Sequence, residues 1–169
     1  MTKAPRTERD LHRKMAIKLF NDTWTLIDKR RRTPAEIDAM IHSAHASRYH
    51  WSKVGTPTNF AIGEWQLSHV YAILGRAEPS LYHARHCLEL CQRHDLGDFV
   101  LAFAHEANAR AYVVAGQVGE ARRHLALGMR AGQGIGEEDD RERFFGDLKG
   151  IERLLARKRP ARRRTRAGR

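Results

Sequence analysis

Apolar residues recur along this chain at three- and four-residue spacing, and no stretch alternates in twos with β-branched enrichment. Ile37, Met40, Ile41, Ala44 and Trp51 form one such stripe, and Phe60, Leu67, Tyr71 and Leu74 form another. Near the end, Phe144, Phe145, Leu148, Ile151, Leu154 and Leu155 form a third. Stripes of this period are the buried faces of amphipathic helices. Breakers at Thr33-Pro34, Gly55-Thr56-Pro57, Gly75, Glu78-Pro79, Gly97, Gly116 and the Gly132-to-Gly136 run divide the chain. The pattern predicts an all-α fold with helices near 8–31, 34–53, 58–75, 80–95, 99–116, 118–131 and 138–157. Seven helices make three antiparallel hairpins and a C-terminal capping helix. Thr33, followed by Pro34 and by Glu36, reads as an N-cap with a capping box. Gly75 and Gly116 stand where a helix must end with positive φ.

A longer period runs through the same segments. Trp65, Leu67, Tyr71 and Gly75 lie 41 positions before Glu106, Asn108, Tyr112 and Gly116, and Trp24 lies 41 before Trp65. Self-similarity on this scale marks stacked helical units. Residues 102–131 carry Tyr112, Gly116, Ala121, Leu125 and Gly128; the preceding unit carries Leu67, Tyr71, Gly75, Ala84, Leu88 and Cys91, with a turn lengthened by residues 76–83. On these motifs the chain resembles a divergent tetratricopeptide-repeat protein over residues 15–131, and is similar to bacterial helical-repeat proteins without assigned activity. The resemblance implies a right-handed solenoid, with the first helix of each hairpin lining a concave face. It implies a binding role and no reaction.

Charge changes the picture only at the ends. The formal net charge is +11, yet the segment from Arg157 holds eight basic residues and no acid, leaving 23 basic against 20 acidic residues before it. We therefore expect a flexible N-terminus (1–7), a helical-repeat domain (8–157) and a disordered basic tail (158–169). Arg157, Lys158, Arg159, Arg162, Arg163, Arg164 and Arg166 form a candidate nucleic-acid arm, joined by the basic run from Lys29 to Arg32. The N-terminal segment is charged where a secretory signal needs an apolar core, and no run approaches the roughly 18 apolar residues of a membrane span. Cys87 and Cys91 are one helical turn apart and suit a reducing compartment. The expectation is a cytoplasmic protein.

Candidate chemistry is sparse. Trp24, Trp65, His69, Glu106 and Arg110 share the face expected to line the concave groove, where paired indoles would hold a protein or peptide. Arg48 and Glu64 interrupt apolar stripes on adjacent helices, and a buried charge needs a partner, so they are expected to pair. Asp38, His42, His45 and Tyr49 make a polar stripe that could join His69 or Glu64 in a metal or small-molecule site. No HExxH, paired CxxC or P-loop supports it: the Gly132-to-Gly136 run lacks the Lys-Ser/Thr pair and reads as a flexible linker. The expectation is a non-catalytic protein- or peptide-binding module without cofactor or metal. Association with nucleic acid is the alternative and a histidine-based enzyme the third reading. The final helix either caps its own chain or pairs two copies.

Overall fold

The computed structural model describes residues 7–157, the side chain of Asp98 apart; the remaining six N-terminal residues and the tail from Lys158 lie outside the described residues. Among these residues there are seven α-helices and no strand: α1 (Glu8–Ile27), α2 (Pro34–Val54), α3 (Pro57–Ile73), α4 (Ala77–Arg93), α5 (Asp98–Val114), α6 (Val118–Gly132) and α7 (Glu138–Arg157). None is long and apolar enough to cross a membrane.

Threonines start the first three helices. Thr7 Oγ1 accepts from the Asp10 amide at 3.1 Å while Asp10 Oδ2 accepts from the Thr7 amide. Thr33 and Glu36 repeat that exchange at α2, and Asn59 Oδ1 accepts from the Thr56 amide at α3. Pro34 and Pro57 occupy first-turn positions whose amides would have no helical acceptor anyway. Gly75 and Gly116 close α3 and α5 with φ of 69° and 74°.

Two boundaries differ from the sequence reading. α1 stops at Ile27 rather than near 31, because Arg32 folds back and donates through Nε to the Leu26 carbonyl at 2.5 Å, and through Nη2 to that of Ile27. A guanidinium thus satisfies carbonyls that the helix end leaves open. The turn after Gly75 is not lengthened. α4 begins at Ala77 and takes Pro79 into its first turn, where a missing amide hydrogen costs nothing.

Consecutive helices pack as α1 on α2, α3 on α4 and α5 on α6, while α1, α3 and α5 also touch in succession and α7 lies against α5 and α6. α3 and α5 are enclosed on most sides. α5 buries Ala102, Ala104, Ala107, Ala109 and Ala111, small side chains that let neighbouring backbones approach from several directions. Buried polar side chains stitch the joints by bonding to backbone carbonyls. Ser47 reaches Ala16 (2.8 Å), Gln66 reaches Phe20 (3.0 Å), Ser80 reaches Ser68 (3.0 Å) and Asn108 reaches Ala84 (2.8 Å).

α7 is seated by Phe144, which is fully buried over Gly128 and Gly132. The glycine run before it is not a loose linker, since Ile135 is buried in the same core and its carbonyl accepts from Arg141. A Cβ on Gly132 would stand 2.7 Å from Phe144 Cδ1, inside any normal contact. Gly132→Ala should therefore cost about 1–3 kcal/mol in urea unfolding by overpacking. Wild-type stability in that variant would show that Phe144 does not fill this space.

Candidate functional site

The 41-residue spacing is a set of contacts. Trp24 on α1 packs on Trp65 of α3 with ring centroids 5.4 Å apart, and Trp65 Nε1 donates to Glu106 Oε2 on α5 at 2.9 Å. One turn further along, Arg110 Nη1 approaches Nε2 of His69 at 3.4 Å, again 41 positions away. Equivalent positions of α1, α3 and α5 thus form a ladder across the helices.

Glu106 has no exposed surface, so it contacts no external partner directly; it anchors residues that can. Arg110 donates to its Oε1 through Nε at 2.8 Å and through Nη2, while Trp65 takes the other oxygen. Each carboxylate oxygen thus has a donor, one from α3 and the other from α5. Asp147 of α7 completes the setting. Burial first, then the nearby Glu106, pushes its carboxyl pKa up, against the pull of Arg110 and Arg143.

His69 lies edge-on to Trp24 at 5.4 Å and to Trp65 at 6.3 Å. Burial, with the charges of Arg110 and Arg32, holds its pKa well below the usual histidine range, so the ring is neutral. Arg110 can only donate, which assigns Nε2 as acceptor and places the proton on Nδ1. That Nδ1 is buried and has no hydrogen-bond partner.

Beside the ladder opens a cleft of about 220 Å³. Phe20 and Trp24 come from α1, Ala61, Ile62 and Trp65 from α3, Cys87 from α4, Phe99, Val100 and Phe103 from α5, and Asp140 with Arg143 stand on α7. A second pocket of about 210 Å³ adjoins it, lined by Ile17, Phe20, Trp51, Asn59 and Ile62. Phe20 and Ile62 belong to both. The sequence reading named Trp24 and Trp65 but missed the other lining residues. Its available signal was Ile17, Phe20 and Trp24 at i, i+3, i+7 on one helix, an apolar face that continues past the core into solvent; Ile17 is 47% exposed.

A second polar cluster joins α2, α3 and α4. Arg48 Nε donates to Glu64 Oε1 at 2.8 Å, His83 Nδ1 lies 2.7 Å from Oε2 and His86 Nδ1 3.4 Å from Oε1. Burial alone would raise the Glu64 pKa, but His83, Arg48 and His86 together bring it below the ordinary value. Arg48 reaches it across Gly63, where a Cβ would meet Arg48 Cδ at 2.7 Å, and its guanidinium covers Phe60 at 4.7 Å. His45 Nε2 is 2.9 Å from Tyr71 Oη, and Tyr71 stacks parallel on His83 at 5.7 Å.

The polar stripe on α2 does not converge. His45 turns to Tyr71, whereas Asp38, His42 and Tyr49 are exposed, and His69 belongs to the indole ladder rather than to Glu64. Among the described residues, no group of three or more His, Cys, Asp or Glu is arranged to hold a metal. Arg157 ends α7 exposed; the candidate arm residues Lys158, Arg159, Arg162, Arg163, Arg164 and Arg166 lie outside the described residues. No family model, curated protein or solved structure matches the chain.

Replacing Glu106 by Gln leaves Arg110 without its countercharge at a nearly dry site, and the loss should be about 3 kcal/mol in chemical denaturation, near the lower end for breaking a buried pair. A change below about 1 kcal/mol would mean that the carboxylate is not what holds Trp65 and Arg110.

Proposed function

We propose that this chain is a non-catalytic binding module that grips an apolar segment of a protein or peptide along α1, α3 and α5. The two adjoining pockets that share Phe20 and Ile62 carry this reading. Each falls short of the roughly 300–1,000 Å³ that encloses a drug-sized molecule, and each suits a single apolar side chain. Two such pockets side by side fit two anchors of one amphipathic segment, at i and i+3 or i+4. Trp24, Trp51 and Trp65 offer broad contact area at low entropic cost.

The tetratricopeptide-like register supports the same face, because α1, α3 and α5 are the first helices of the three repeating units. A cytoplasmic setting suits the free thiols of Cys87 and Cys91, both buried.

The test is selection of peptides on the intact protein, followed by titration against Ile62→Ala and against a chain truncated before Arg157. Selected peptides should carry paired apolar anchors. Ile62→Ala should weaken them about tenfold, equivalent to about 1.4 kcal/mol, since Ile62 bounds both pockets. Truncation and added salt should change little. Peptides that bind Ile62→Ala undiminished would overturn the reading, and capture of nucleic acid that weakens steeply with salt and is lost on truncation would replace it.

A further inference from the structure

Histidines from different helices meet ring nitrogen to ring nitrogen at two of the three helix pairs. His12 of α1 and His50 of α2 bring their Nδ1 atoms to 2.8 Å, with ring centroids 5.0 Å apart. His105 of α5 and His124 of α6 do the same at 3.1 Å and 5.3 Å. The middle pair is built otherwise, because α4 presents His83 and His86 to the Glu64 carboxylate of α3, which Arg48 of α2 also meets, while His45 of α2 and Tyr71 of α3 lie against His83.

These two designs respond to acid with opposite sign. A bond between two Nδ1 atoms needs one ring to donate and the other to accept. One added proton can sit on an outward Nε2 and leave the bond intact. A second puts N–H against N–H and breaks it. Protonating His83 or His86, in contrast, sets a cation against Glu64 and tightens α3 on α4. From this geometry we infer that the fold contains an acid-sensitive switch, in which protonation parts α1 from α2 and α5 from α6 while leaving α3 and α4 together.

The surroundings favour the switch at α5 and α6. His105 faces Arg123 and Arg130 of α6 besides His124, and burial with these charges takes its pKa down to about 4. His124 lies under Tyr112 of α5, near Arg123 and Glu120 on its own helix and Arg85 of α4; burial lowers its pKa, and of the charges only Glu120 opposes the shift. Around the other pair stand Glu8, 3.7 Å from His12 Nε2, and the Tyr49 ring; burial and then His12 lower the pKa of His50. Free histidine takes up its proton near pH 6.5. Below that value the unfolded chain binds two protons per pair and the closed pair at most one, so stability declines as pH falls from about 6.5 toward 4. One proton of difference multiplies the open population by up to about ten for each pH unit at each pair.

Hydrogen exchange on the intact chain at pH 7 and pH 5.5, corrected for the intrinsic rate, reads the three pairs separately. Protection should fall several-fold in α1, α2, α5 and α6 and hold in α4; α4 alone reports the middle pair, because opening α3 also exposes the buried His69, which then takes up a proton. His124→Gln, which keeps a hydrogen-bonding side chain without a titrating proton, should flatten the response of α5 and α6 alone. An equal response in all three pairs, no response, or an unchanged response in His124→Gln would overturn the switch. Should that variant not fold, ring-nitrogen NMR of the wild type decides instead: at most one added proton per closed pair supports the inference, and two protons on a closed pair refute it.

Discussion

A carboxylate sealed from water depends on protein donors, and Glu106 has one at each oxygen, from two helices. Trp65 approaches from α3, while Arg110 closes the other oxygen from one turn along α5. Sliding α3 by one residue along α5 would take the Trp65 donor away from Glu106 Oε2 and leave that oxygen unpaired in the interior, a penalty larger than most single contacts contribute. The interaction therefore selects a register rather than adding much net stability. Because Trp65 also carries Trp24 on its other side, the same choice is passed to α1. The cleft walls inherit their spacing from it.

Glu64 solves the same electrostatic problem with the opposite connectivity. Its donors come from α2 and α4, so it ties the outer helices to α3, whereas Glu106 ties the inner helices to each other. Serine, glutamine and asparagine side chains that reach backbone carbonyls across the joints complete the set. Apolar burial supplies the driving force for such a stack, but alanine-rich surfaces like that of α5 are nearly featureless. Directional bonds are what make one alignment better than its neighbours.

The seven helices were legible because the 3.6 period, the Thr-Pro starts and the reversing glycines are local signals. The 41-residue spacing was also legible, though the sequence alone could not tell that the spaced residues touch. What escaped were interactions closed only by the fold. Arg32 looked like one of four consecutive basic residues, and nothing local says that it turns back to end α1. Pro79 looked like a helix breaker because its place in a first turn depends on where α4 begins. Phe20 and Ile62 carry no local signal of a site, since the gap beside them is closed by α4, α5 and α7 as well as by their own helices. His12 and His50 are 38 residues apart, and His105 and His124 are 19 apart; neither distance matches a recognised ligand spacing.

Gly63 is adjacent in sequence to the carboxylate that Arg48 must reach, and the arginine stem lies directly over it. The absence of a side chain at 63 is thus part of the ion pair, although Gly63 carries no charge. Three positions on two helices are bound into a single heritable unit. A methyl group at 63 displaces the arginine, and a neutral residue at 48 strands the acid. Loss of the acid in turn removes the reason for the glycine. In related chains these positions should change together or not at all, so that a substitution harmless in one lineage becomes inaccessible in another until its partners have already moved.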